Sequence, residues 1–199
     1  MLRIIIVRSI VIGFILAAIA CMPWTHPQME AEDYPMKVGA VHIYRLEGHP
    51  QGDSMVVETI GTRRYDNRTI YIDSVAYFKN DSLSYSKEDY YALTDKYLYY
   101  YGNSATGYLK EPIPRLDFPL YEGKTWHEDP SDTLSTEWEC ISYDTLWLEP
   151  GRYRTFRVQP HISGNITSYW YAPDVGLVKL GQSDQSGTSW TQELLGYYP

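Results

Sequence analysis

The sequence predicts an all-β protein, a curved antiparallel meander that makes a half-barrel or open barrel, after an N-terminal signal peptide. Three observations carry this. Short runs rich in Val, Ile, Thr, Tyr and Trp alternate with turn residues. No helical period supports a long helix after the leader. The length of 199 residues and the 44% hydrophobic content suit one domain that buries a core without disulfide or metal staples. With 21% charged and 15% aromatic residues, the composition excludes a disordered, collagenous or multi-pass membrane chain.

The first element is a leader. Residues 1–20 contain Arg3 and Arg8 and no acid, and an apolar run follows from Ile10 to Ala20. That run has the length of a signal-peptide core and is short for a bilayer span. Ala18 and Ala20 fit an A-x-A cut, and Cys21 follows directly. Cys21 at that place resembles a bacterial lipobox, in which the Cys is diacylated. The reading is a lipoprotein signal peptide over 1–20, with plain secretion or an uncleaved anchor as alternatives. Residues 21–33, with Pro23 and Pro27, read as a polar tether to a β domain over 34–199. Met22 after the Cys leans toward the outer membrane in the lipoproteins this resembles, so the expected location is the cell envelope, lipid-anchored, facing the periplasm or the surface.

The expected strands run in order. Ala40–Leu46 ends at the Gly48-His49-Pro50-Gln51-Gly52 turn, and Ser54–Arg64 ends near Asp66-Asn67. Thr69–Phe78 closes at Lys79-Asn80-Asp81. Ser82–Ser86, Tyr90–Leu93 and Tyr97–Tyr101 follow, with Asp95-Lys96 as a hairpin tip. Residues 102–116 hold Gly102, Gly107, Pro112 and Pro114 and read as a loop. Strands resume at Thr125–His127, Thr136–Ser142 and Thr145–Leu148. Glu149-Pro150-Gly151 places Pro and Gly for a type II turn. Arg152–Val158, Thr167–Ala172, Leu177–Leu180 and Ser189–Tyr197 complete the set. About a dozen strands at hairpin spacing argue for a meander.

One pattern repeats. Tyr34-Pro35-Met36-Lys37-Val38-Gly39 is echoed 84 residues later by Phe118-Pro119-Leu120-Tyr121-Glu122-Gly123. Both are aromatic-Pro-apolar-x-x-Gly and both lead into a strand. The Pro blocks ladder pairing, the apolar residues suit a plug, and the Gly permits a bend. Two sheet halves with similar starts are expected.

These two leads, the Glu149–Val158 hairpin and the run Tyr169-Trp170-Tyr171-Ala172-Pro173-Asp174-Val175-Gly176-Leu177-Val178-Lys179 resemble TapB-like and related bacterial envelope proteins, which share a WYAPGVGLVK signature. The resemblance covers about residues 34–199. It implies a curved half-barrel similar to LolA-type lipoprotein carriers and carries no catalytic residues with it. Pro173, Asp174 and Gly176 form its turn, with Asp174 in place of the usual Gly, as a type I turn accepts.

Charge narrows the partners. The 17 basic residues less Arg3 and Arg8 leave 15 against 25 acidic ones, a net −10 after the leader. Such a surface repels a phosphate backbone, so no nucleic-acid partner is expected. Membrane attachment would come through lipid on Cys21. With Cys21 acylated, Cys140 has no intrachain partner; it lies in a strand-like run and reads as a buried apolar group.

No motif signals catalysis, a cofactor or a metal. Gly123-Lys124-Thr125 ends like a P-loop, but Phe118 stands where its first Gly belongs. His127-Glu128-Asp129 is ligand-like in composition, yet neighbours on a strand point to opposite faces. Glu137 and Glu139 share a strand face without further signal of a glycosidase pair. Five Asp-hydroxyl-apolar triplets, beginning at Asp53, Asp73, Asp81, Asp132 and Asp144, read either as strand starts after turns or as O-glycan acceptors.

The aromatics say most. Tyr97, Tyr99 and Tyr101 lie on one strand face with Leu98 and Tyr100 on the other, and Trp138, Trp170 and Trp190 stand in neighbouring runs. Tyr and Trp join an apolar ring to a polar tip, which suits a half-wet sheet face. These six residues are the expected ligand-binding set. The expected function is a non-enzymatic envelope lipoprotein that binds a hydrophobic ligand or protein partner on an aromatic face. The alternatives are a structural or assembly subunit whose aromatics are all core, and a carbohydrate-binding or carbohydrate-active protein.

Overall fold

The computed structural model describes residues 26–199 apart from 130, 133, 163, 185, 187 and 188. The leader, Cys21 and Thr133 lie outside the described residues. Among the described residues are twelve strands: β1 (Val41–Glu47), β2 (Ser54–Tyr65), β3 (Arg68–Lys79), β4 (Ser82–Leu93), β5 (Tyr97–Asn103), β6 (Gly107–Asp117), β7 (Thr125–His127), β8 (Glu137–Leu148), β9 (Gly151–Pro160), β10 (Asn165–Ala172), β11 (Gly176–Asp184) and β12 (Ser189–Tyr198). They form one open antiparallel sheet in the order β6-β5-β4-β3-β2-β1-β12-β11-β10-β9-β8-β7. No helix among the described residues is long and apolar enough to cross a membrane.

The sheet is two six-strand meanders joined where β1 pairs with β12. The aromatic-Pro-apolar leads open both. Gly39 and Gly123 share a left-handed backbone, with φ of 90° and 86°. Gly39 N–H donates to Thr59 O (2.8 Å) and Gly123 N–H to Cys140 O (2.7 Å). Each half carries a bulge just past that contact, which skips Ile60 in β2 and Ile141 in β8. A second bulge skips Tyr101 in β5 and Val178 in β11. Bulges raise local twist, and paired bulges bend the two halves in the same way.

Several sequence expectations change. Residues 102–116 are largely strand β6 and not a loop, because β6 is an edge where missing Pro donors cost no ladder bond. Ser82–Ser86 and Tyr90–Leu93 are one strand, as are Thr136–Ser142 and Thr145–Leu148. Leu148 pairs with Gly151, so Pro150 takes the third turn position and Gly151 already belongs to β9. This turn is therefore not the expected type II arrangement. Asp174 has φ 64°, and Val175 N–H donates to Ala172 O. A third turn residue at positive φ is type II geometry, so the type I reading of Asp174 is also corrected. The Asp95-Lys96 tip stands as expected, flanked by Thr94 N–H donating to Tyr97 O (2.9 Å).

Most of the core lies between the concave sheet face and two plugs, and a smaller cluster around Ile70, Ala92 and Tyr101 lies on the other face. The first plug runs from Met29 to Met36 and the second is the β6–β7 connection, Phe118 to Lys124. They join at Met29 and Leu120, which exchange backbone hydrogen bonds of 3.0 and 2.9 Å and are fully buried. Residues 29–33, read from the sequence as part of a tether, thus pack into the body. Lys124 fixes the second plug through Asp117 (2.8 Å) and Pro119 O (3.0 Å), a structural use for the P-loop-like Lys. Trp126, Trp138, Phe156 and Val158 pack on this junction. Cys140 is fully buried among them, as expected, and burial pushes its thiol up to about 12.

Candidate functional site

Beside the plugs, the concave face leaves a cavity of about 320 Å³. Strand alternation sets its lining. On β3, Asp73, Val75 and Tyr77 face the cavity, whereas Ile70 and Ile72 face an opposite cluster with Tyr90, Ala92 and Tyr101. Tyr34, Pro35 and Met36 of the first plug wall one side, and Tyr44 and Tyr91 stand on the sheet. The Tyr44 hydroxyl donates to Leu177 O (2.8 Å), tying β1 to β11 across β12.

The rim is aromatic. His49 stacks on Tyr77 at 5.4 Å and meets Trp190 edge-on at 4.6 Å. His49 stands in the β1–β2 turn, where a Cβ on Gly48 would sit 2.6 Å from Ser189 O, so only Gly lets the turn approach β12. Trp190 Nε1–H donates to Gln182 Oε1 (2.9 Å), which satisfies its polar atom.

The polar centre is Asp73, which sequence reasoning missed. Asp73 pairs directly across β2–β3 with Thr59, whose hydroxyl donates to its Oδ1 at 2.7 Å. Across β3–β4 it faces Asp89. Asp89 is buried and ion-paired with Lys87 at 2.8 Å. Burial, with the Asp89 charge adding, pushes the Asp73 carboxyl up to about 6 against the hydrogen bond from Thr59. Burial, and then the Asp73 charge, hold the Tyr34 and Tyr44 phenols far above their usual range. Arg115 completes the charged lining; it meets Glu128 at 3.6 Å and lies over the Tyr100 ring at 5.2 Å. The sequence did carry a signal: Asp73 interrupts the row Tyr71, Val75, Tyr77 that otherwise reads as one apolar strand face.

The six residues expected to bind ligand do not share one face. Trp138 and Trp190 line the cavity. Tyr99 and Tyr101 pack with Ile70, Ile72 and Tyr108 on the opposite side of the sheet, and Tyr97 lies beside Tyr99 with ring centroids 5.2 Å apart. Leu98, from the other face of β5, is the residue that reaches the cavity. Trp170 alternates with the cavity-lining Tyr169 and Tyr171 and faces Arg157 and Lys179 outside. The turn residue Gly176 lines the cavity against Pro35, whose Cγ would lie 3.3 Å from an added Cβ. Pro173 and Asp174 form the turn outside the cavity lining, and Asp174 anchors the first plug through its N–H, which donates to Asp33 O (2.7 Å).

The other motifs stay outside the cavity. Glu137 and Glu139 share one face as read, and meet His161 at 4.0 and 2.9 Å on the side away from Trp138. His127 sits at the end of β7 with Nδ1 3.4 Å from Ser135 O, while Glu128 turns to Arg115. Among the triplets, Asp53-Ser54 and Asp81-Ser82 do begin strands, whereas Asp73-Ser74 and Asp144-Thr145 lie inside β3 and β8.

No family model matches the chain, and no curated protein matches it. Solved structures that share the fold include the following two. One is a protein from Bacteroides fragilis NCTC 9343 assigned as exported and of YmcC-like fold, with TM-score 0.57 and 11% identity over 83% of this chain and 98% of that one. The other is a protein from Parabacteroides distasonis ATCC 8503 assigned as a lipoprotein, with TM-score 0.56 and 11% identity over the same shares. At this identity the likeness establishes the fold, an open all-β sheet.

Proposed function

We propose that this protein is a non-enzymatic cell-envelope lipoprotein, anchored through lipid on Cys21, that holds a small ligand with an apolar body in the concave cavity. The observation that carries the ligand is the cavity itself: a concave space walled by Tyr and Trp rings, with polar groups such as Thr59, Asp73 and Arg115 set among them, has the form of a small-molecule site. The leader, the Cys after the A-x-A cut and the exported and lipoprotein assignments of the two structural neighbours support the envelope location. Outer-membrane attachment rests on Met22 alone. The test is native mass spectrometry of the full chain produced in a lipoprotein-processing bacterium. A diacylated Cys21 and a co-purifying ligand mass are expected; an unmodified Cys21 or a bare protein that also fails to take up an apolar fluorescent probe overturns the corresponding half of the reading.

One observation favours an assembly subunit, though not one whose aromatics are all core. Trp147 is 72% exposed at the β8–β9 hairpin, where Arg152 lies over its ring at 5.8 Å. Exposed Trp flanked by Arg is typical of interface anchors. Cross-linking that depends on Trp147, with no ligand in the cavity, would move the function there. The carbohydrate-active alternative finds two carboxylates in the cavity, Asp73 and Asp89. They are cross-strand neighbours on one wall, and Lys87 already holds Asp89 at 2.8 Å, so this alternative has less support than the ligand-holding one.

A further inference from the structure

We infer that the cavity selects a cationic amine: Asp73 anchors a protonated ammonium group while the tyrosine-rich walls take its apolar chain. This rests on the ligand-binding reading above and names the chemical class.

Asp73 is the cavity's one carboxylate without a countercharge among the described residues. Asp89 has Lys87 at 2.8 Å, and Arg115 has Glu128 at 3.6 Å. Asp73 has the Thr59 hydroxyl on Oδ1 and no ion pair, which leaves Oδ2 for a ligand. A buried carboxylate is costly unless it is paired, and an incoming ammonium supplies the missing partner. The surrounding rings suit the same ion. Tyr34, Tyr44 and Tyr91 line the cavity with Asp73, and aromatic cages attract ammonium groups. A carboxylate or phosphate in that place would meet the uncompensated Asp73 charge, while the cation in the lining, Arg115, is already held by Glu128 at 3.6 Å.

The second half of the sheet shows that the fold does not require the charge. Thr59 and Asp73 face each other across β2–β3, and Cys140 and Val158 face each other at the matching place across β8–β9. Cys140 and Val158 are both fully buried. The same backbone arrangement thus closes with a purely apolar pair, so the Thr59–Asp73 pair is set apart from it by its chemistry and by its position on the cavity.

The test titrates the full chain with octylammonium, octanol and octanoate, following Trp fluorescence, since Trp138 and Trp190 line the cavity. The expected order is octylammonium tightest by about tenfold over octanol, with octanoate weakest. Asp73→Asn should abolish the preference for octylammonium over octanol. Equal binding of octylammonium and octanol to the wild-type chain, or an unchanged preference in Asp73→Asn, overturns the inference and leaves the apolar site standing. Binding of none of the three removes both. The wild-type series is decisive without the variant, so a folding defect in Asp73→Asn would not mask the answer.

Discussion

Thr59 and Cys140 hold the same place in the two halves of the sheet. Thr59 N–H donates to Ala40 O (3.0 Å) and Cys140 N–H donates to Lys124 O (2.8 Å), and each carbonyl accepts from the Gly that precedes its partner, Gly39 or Gly123. One backbone arrangement therefore carries two chemistries. In the first half it presents a hydroxyl and a carboxylate to a cavity; in the second it presents a thiol and an isopropyl group to the core.

Asp73 costs stability at neutral pH. Its carboxyl ionises near 3.8 in a free chain and is pushed up to about 6 in the fold, so the folded state holds the proton more tightly. Stability is greatest below about pH 4 on this account and falls as pH rises toward 6 and beyond, by about 3 kcal/mol for two pKa units. Asp73→Asn removes the charge and keeps an acceptor for the Thr59 hydroxyl. It should raise stability by about 1–3 kcal/mol at pH 7.5 and change little at pH 4. Urea unfolding at the two pH values measures this; equal effects at both would refute the assignment.

Asp174 pays backbone strain at φ 64° in the turn that holds the first plug. Asp174→Gly should stabilise by about 0.5–1 kcal/mol, since Gly adopts that conformation without a Cβ clash. Thermal unfolding would register a rise of a few degrees at most. A fall would mean that the Asp174 side chain makes a contribution larger than the strain.

The plug junction should be the costliest place to truncate. Leu120 is fully buried and bridges Met29, so Leu120→Ala should lose about 2–4 kcal/mol. Trp147→Ala, at a residue 72% exposed, should stay within about 0.5 kcal/mol. Denaturant midpoints of the two variants, at constant slope, give the comparison. A larger loss at Trp147 than at Leu120 would contradict the placement of the core.

Cys140 should be unreactive in the native protein. It is fully buried, and its thiol is pushed up to about 12, so almost no thiolate exists at pH 8. In a Cys21→Ser chain, a thiol reagent at pH 8 should label nothing until denaturant is added, then one group. Rapid native labelling would require Cys140 to open to solvent.

Taken alone, the amino-acid order determined the all-β class, most strand positions, the buried thiol and the matching strand leads at Tyr34 and Phe118. Those are local: turn residues and period-two alternation act within a few neighbours. It misplaced β6, because Pro112 and Pro114 forbid a central strand but not an edge, and edge position is a property of the whole sheet. It set Tyr97, Tyr99 and Tyr101 correctly on one face of β5, but only the tertiary structure decided which face encloses the cavity. Alternation groups side chains into two rows without saying which row is concave; curvature and the plugs decide that. Asp73 was hidden for the same reason, since its carboxylate gains meaning only from Tyr34, Tyr44 and Asp89, brought beside it from other parts of the chain.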